Sequence, residues 1–282
     1  MKPMRSRTLS AICAAVIAAM PAAAVIVAIS TAGAAIAAGP AAGLVAASAE
    51  VRVAVAANFT APCEEIARAF ERRSGHRVVV SAGSTGKLAA QIENGAPFDV
   101  LLAADAERPA LLEKRGAAVA GSRFTYARGR LVLWSPDPAL VDGAGKVLAD
   151  GRFRHLAIAN PSLAPYGAAA EQVLSDRGLW QRLRPRLVQG EDISQTYQFV
   201  ASGAAELGFV ALSQLRAAAR GAAGGQVKGS MWVVPEASYR PIDQQAVLLV
   251  GAWGNPAARA FLDFLKGGEA RAVIERFGYG LP

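Results

Sequence analysis

Cysteine and histidine are almost missing from this 282-residue chain, with two of each. The shortage of cysteine excludes a disulfide-stapled fold. Cys13 falls in a distinct N-terminal segment, and Cys63 is left without a partner in the remainder. Cys63 sits in a helical window with neither histidine near it, so it reads as a small buried residue and not as a nucleophile. His76 and His155 stand alone, without HExxH spacing or cysteine neighbours, and no protein-bound metal is expected. A Gly-x-Ser-x-Gly elbow is absent, and no pair of acidic residues is singled out for glycoside hydrolysis. Clustered Lys/Arg with interleaved aromatics is absent too, which removes a nucleic-acid surface. Gly83-Ser84-Thr85-Gly86-Lys87 invites a phosphate-loop reading. The pattern fails at both ends: Ser81 stands where the first glycine belongs, and Leu88 replaces the hydroxyl that would hold magnesium. No enzyme activity and no cofactor are expected.

What is present begins with the first 49 residues. Lys2, Arg5 and Arg7 precede a long Ala/Val/Ile-rich run that carries no charge before Glu50, the order of a secretory signal. Ala47-Ser48-Ala49 offers a small-x-small cleavage signature, so residues 1–49 are predicted to be removed and the mature chain to begin at Glu50. A membrane anchor is the competing reading, but Pro21, Gly33, Gly39 and Pro40 interrupt the run and weakly apolar alanine dominates it. Cys13 lies near the start of the run, where no lipidation signal would place it. Removing the segment leaves 27 Lys+Arg against 22 Asp+Glu, a net charge of +5 that suits an anionic ligand. The 233 residues that remain can bury a core for one large domain or two small ones.

Beyond Glu50 the chain alternates β-rich runs with amphipathic windows. The pattern predicts strand 51–57, helix 61–73, strand 77–81, helix 86–94, strand 98–103 and helix 106–115, read as βαβ units around a mostly parallel sheet. A second series predicts strands 130–134 and 155–159, helix 167–177, strand 186–189, helix 194–202, and strands 207–211 and 230–234. Strand 246–250 and helices 256–266 and 268–277 close the chain. The two series resemble each other. Val53-Ala54-Val55-Ala56-Ala57-Asn58 matches Leu156-Ala157-Ile158-Ala159-Asn160, and each is followed by a helix. The run from Gln91 to Leu101 likewise parallels Phe199 to Phe209: helix, glycine cap, short loop, buried strand.

Two α/β units of like design bring the carboxyl ends of their strands to a shared crevice, where such sheets bind ligands. Four junctions there open helices: Ala57-Asn58-Phe59-Thr60, Gly83-Ser84-Thr85-Gly86, Ala164-Pro165-Tyr166-Gly167 and Glu191-Asp192-Ile193-Ser194. Each would present unpaired N–H groups and the positive end of a helix dipole. Taken singly, each is equally an ordinary helix cap. Taken together, two in each unit, they describe an anion held from both sides. Lys87 reads as a solvated helix residue.

At these junctions the sequence resembles the periplasmic molybdate-binding proteins of ABC transporters. The resemblance rests on Val55-Ala56-Ala57-Asn58-Phe59, Gly83-Ser84-Thr85-Gly86-Lys87-Leu88, the run from Gln91 to Val100, Ala103-Ala104-Asp105, Phe261 to Gly267, and Phe277-Gly278-Tyr279. It implies an α/β, type II periplasmic-binding-protein fold: lobe one from 50–130 and 238–282, lobe two from 131–237, joined by crossings near Leu131–Trp134 and Met231–Val234. It implies a monomer that binds molybdate or tungstate in the cleft and delivers it to an inner-membrane permease and its ATPase. Molybdenum would be present only as the oxyanion, with no protein ligand to the metal. By position, Asn58, Ser84, Thr85, Tyr166 and Ile193 would hold the anion. A tyrosine common in the family is Ala211 here, and Tyr166 stands where alanine often does, as though the two had exchanged places. That departure keeps open a same-fold binder of sulfate, thiosulfate or phosphate; a secreted hydrolase is the remoter alternative.

Overall fold

A computed structural model describes residues 48–222 and 225–282. Of the expected export segment, only Ser48 and Ala49 fall within them, and the first strand starts at Glu50. Among the described residues, strands β1 (Glu50–Ala56), β2 (Arg77–Gly83), β3 (Val100–Leu102), β4 (Phe124–Gly129), β5 (Leu131–Ser135), β6 (Leu156–Ala159), β7 (Leu187–Gly190), β8 (Leu207–Ala211), β9 (Ser230–Val233) and β10 (Ile242–Leu248) form two sheets. Helices are α1 (Thr60–Ser74), α2 (Thr85–Glu93), α3 (Glu107–Lys114), α4 (Val147–Asp150), α5 (Pro165–Asp176), α6 (Trp180–Leu183), α7 (Ile193–Ala201), α8 (Leu212–Gly221), α9 (Pro256–Leu265) and α10 (Gly268–Arg276).

The sheets run β2-β1-β3-β10-β4 and β7-β6-β8-β5-β9. Each therefore has three parallel strands on one side, continued by two that pair antiparallel. The sheets are mixed, not mostly parallel as expected, because β10 and β5 enter each sheet from the other part of the chain. The repeat seen in sequence is real at this level: β1 corresponds to β6, β2 to β7 and β3 to β8. Gly95 and Gly203 close α2 and α7 at φ of +84° and +80°. Glycine adopts that left-handed conformation without Cβ strain. Bonds from Ala96 N–H to Gln91 O and from Ala205 N–H to Phe199 O then tie off both helix ends.

Period-two side-chain alternation explains the layers. Val51, Val53 and Val55 of β1 face α1, α9 and α10, packing with Phe70, Phe261 and Ile274. Ala54 and Leu101 face α2 and α3 through Leu88, Ile92 and Leu112. In the second sheet Leu131, Leu133, Leu156, Ile158 and Phe209 meet α5, while Val132, Ala157 and Val210 meet α7 and α8. Helices cover both faces of both sheets, so the strands bury on both sides.

The expected crossings need correction. Leu131–Trp134 and Met231–Val234 fall largely inside β5 and β9, which pair with each other through Val132↔Val233 and Leu133↔Trp232. The chain passes between sheets at Arg130 and again over residues 234–241. These two passages touch, because the Leu131 N–H donates to the Tyr239 phenol at 3.2 Å. Cys63 is buried in α1 as expected, and burial, with Glu64 adding, pushes its thiol up to about 12.

One carboxylate just before β8 carries a pH signature. Partial burial pushes the Glu206 carboxyl up, but donors overcome it: the His155 N–H at 2.9 Å and the Arg154 guanidinium at 3.1 Å bring its pKa down from 4.5 to about 2. A depressed folded pKa contributes stability above the unfolded value and loses it as pH falls. Glu206→Gln is expected to be less stable than wild type at neutral pH, with the gap closing between pH 4.5 and about 2. Thermal melts of both proteins across that window check it; a gap that does not change with pH would contradict the assignment.

Candidate functional site

The carboxyl ends of β1, β2, β6 and β7 point into one small cavity. Its lining includes Ala56, Asn58, Gly83, Ser84, Thr85, Ala104, Tyr166, Asp192 and Ile193, and it encloses about 10 Å³. Organic ligands of drug size occupy clefts of about 300–1,000 Å³, far more than the roughly 10 Å³ enclosed here, so this cavity admits no such ligand. Wider grooves exist, such as the one of about 340 Å³ beside Phe70 and Phe264. That groove lies between α1, α9 and the start of α10, away from the strand ends.

All five residues nominated from sequence line the cavity, and each is at most 3 % exposed. Ser84 is the N-cap of α2, yet its side chain does not cap the helix. Its Oγ is the one buried side-chain N or O among the described residues without a hydrogen-bond partner. Such an orphan costs about 1–3 kcal/mol, and native structures rarely keep one without a use. Thr85 is partly engaged: its Oγ1 accepts from the Ala104 N–H at 3.0 Å, which leaves its hydroxyl proton to give.

Backbone donors complete the set. The first N–H groups of a helix have no partner within it. The N-cap of α7 is Asp192, whose Oδ1 accepts from Ser194 and Gln195 at 2.8 and 2.9 Å, so the cap leaves out the N–H of Ile193. α5 begins with Pro165, which has no N–H, and Tyr166 supplies the first one. In α2 the Gly86 N–H is already taken, donating to Leu163 O at 2.9 Å. Among the described residues no Lys or Arg lines the cavity. Lys87 is exposed, as expected, and pairs with Glu191 at 2.5 Å, a partnership that raises its pKa.

Asn58 is placed differently from a simple ligand-facing amide. Its Nδ2 donates to Gln244 Oε1 at 3.0 Å and to the Tyr279 phenol at 2.9 Å. Its carbonyl accepts from Ser213 Oγ at 2.9 Å and from Tyr279 at 2.7 Å. What it offers the cavity is therefore chiefly its backbone N–H. The Tyr166 phenol accepts from Gln244 Nε2 at 3.4 Å, and burial holds its pKa well above the ordinary value, so it keeps its proton. Ala211 does not line the cavity; its N–H is taken by Gln214 Oε1 at 3.0 Å. Sequence reasoning missed Gln244, Tyr126 and Ser213. A buried glutamine in an apolar strand was the available signal, and β10 begins four residues before the strand expected there.

The arrangement gathers hydroxyl and backbone N–H donors, with the Asp192 carboxylate at its edge committed to capping α7, and can bind an anion. Comparison with known proteins agrees. The family model of bacterial extracellular solute-binding proteins matches residues 51–280. The molybdate-binding protein ModA of Azotobacter vinelandii is 56% identical over 83% of this chain and 91% of its own length. That of Rhodobacter capsulatus is 50% identical over 82% and 88%. The solved structure of the Azotobacter vinelandii periplasmic molybdate-binding protein superposes with a TM-score of 0.78 at 45% identity, over 82% of this chain and 99% of that one.

Proposed function

The chain belongs to the bacterial extracellular solute-binding proteins, and among them to the molybdate-binding proteins, and from that premise we propose that it captures molybdate in the cavity and delivers it to a membrane permease. The partnerless Ser84 Oγ carries the reading, because a tetrahedral dianion set there would accept from it and from the surrounding N–H groups. Ser84, Thr85, Asn58, Tyr166 and Ile193 are the proposed contacts. Each hydrogen bond to a charged acceptor contributes about 1.5–3 kcal/mol, so six or seven offset the cost of association and leave micromolar to nanomolar affinity.

Tungstate, nearly the same in shape, fits the same donors. We assign 50–130 with 238–282 to one lobe and 131–237 to the other, a division supported by the membership of the two sheets. Closure is supported by bonds across the cleft: Gly86 to Leu163, Arg108 to Ser162 O at 3.0 Å, Lys87 to Glu191, and Ser194 Oγ to Ala57 O at 3.3 Å. The protein works in the periplasm as a monomer, and an ATPase drives the permease it serves. It binds and releases its ligand unchanged. Isothermal titration of residues 50–282 with molybdate, tungstate, sulfate and phosphate tests this. Sub-micromolar molybdate with weak sulfate is expected; heat with sulfate or phosphate but none with molybdate would overturn it.

A further inference from the structure

Gln244 is wholly buried, with 0 % of its surface exposed, in the middle of β10. A strand of this kind holds an uncharged polar side chain only where its hydrogen-bonding groups are met. The register of β10 against β4 slips between Gln244 and Gln245. Such bulges re-aim a side chain relative to the regular pleat. The carboxamide thereby reaches both walls of the cavity. Its Oε1 accepts from Asn58 Nδ2 at 3.0 Å and from the Tyr126 phenol at 3.0 Å, while its Nε2 donates to the Tyr166 phenol at 3.4 Å. Asn58 follows β1 of the first sheet, whereas Tyr166 belongs to α5 against the second.

Space for this bridge is made by Gly129, the last residue of β4 and the one before the first crossing. A Cβ there would stand 2.2 Å from the Tyr166 phenol oxygen and 2.9 Å from Gln244 Nε2. Two cavity residues and the strand end at a crossing therefore meet at one amide.

Building on the anion-binding reading, we propose that Gln244 is a positioning residue for the oxyanion: its carboxamide orients Tyr166 as a donor and fixes Asn58 against it across the cleft. Hydrogen-bond direction supplies the mechanism. Gln244 Nε2 can only donate, so the Tyr166 oxygen receives and the phenol's own proton is left over. Among the described residues no protein group accepts that proton. An anion in the cavity would.

A double-mutant cycle tests the inference, with molybdate titrated into wild type, Gln244→Met, Tyr166→Phe and the double variant, and each unfolded without ligand. Gln244→Met is expected to weaken binding at least tenfold. Tyr166→Phe should do so to a like degree, and the double variant should bind within about threefold of the weaker single. Binding of Gln244→Met within threefold of wild type, or two losses that multiply, overturns the proposal. Gln244→Glu decides the matter if the methionine variant does not fold. Its carboxylate can only accept, so it would take the Tyr166 proton that the anion needs; affinity at pH 8 should fall at least tenfold, and binding within threefold of wild type overturns the proposal. Wild type that binds no molybdate would overturn the functional reading and this inference with it; normal wild-type binding with an unaffected variant overturns this inference alone.

Discussion

Ser84→Ala should lose molybdate affinity by about 1.5–3 kcal/mol, roughly 10- to 150-fold, while the ligand-free protein unfolds no more easily than wild type. The two halves of this result come from one observation. In the ligand-free molecule Ser84 Oγ is buried and unpartnered, so its removal breaks no hydrogen bond and relieves a desolvated polar atom. Its side chain does not cap α2, so no cap is lost either. Only with an anion present does the hydroxyl have work to do, and only then does its absence cost anything. Calorimetric titration gives the affinity and a thermal melt without ligand gives the stability.

The neighbouring residue provides the contrast. Thr85 Oγ1 accepts from the Ala104 N–H, a donor buried with it. Thr85→Ala would strand that N–H and lower unfolding stability by about 1–3 kcal/mol as well as weakening binding. If Ser84→Ala bound normally, or melted as Thr85→Ala does, the cavity would not be a site built for an anion.

How much of this was legible beforehand depended on whether the determinant was local. Strand ends and helix starts are written in consecutive residues, and the four junctions were found because each opens a helix, three of them at an Asn, Ser, Thr or Asp. All four come together around the cavity. What was missed depends on distant partners. Asn58 and Gln244 lie 186 residues apart, and nothing near either one says that the amide of one is committed to the other. β10 was cut short at its polar half, Ile242-Asp243-Gln244-Gln245, because a bulge breaks the period of two and because Gln244 is buried for the sake of the network. β4 escaped notice for a similar reason: Arg128 pairs with Asp243 at the sheet edge, so the strand's outer face is polar and its apolar signal weak. The crossings were misplaced by a few residues, since β5 and β9 are apolar enough to look like linking strands while their hydrogen bonds belong to the second sheet. α8 went unread because it is alanine-rich and buries little beyond Leu212, Ser213, Leu215 and Ala219.

A single methyl group is expected to be severely damaging at Gly167, next to Tyr166 at the wall of the cavity. A Cβ there would stand 2.3 Å from Ala159 O, 2.7 Å from Ala159 C and 2.9 Å from Asn160 C. All three are backbone atoms at the end of β6, so no rotamer change relieves the clash. The first turn of α5 must withdraw from the strand, taking with it the N–H and ring of Tyr166. Overpacking of this kind costs about 3 kcal/mol, which for a chain of this size lowers Tm by roughly 6–12 °C. Because the displaced turn is one wall of the cavity, affinity for molybdate should also fall, by at least tenfold in the protein that remains folded. Gly143→Ala is the control: nothing lies within 4 Å of its added Cβ, and its backbone is outside the left-handed region. It should melt at or slightly above the wild-type temperature, because alanine restricts the unfolded chain. Should Gly167→Ala match that control in both melting and binding, close contact between α5 and the end of β6 would not be what sets the wall of the site.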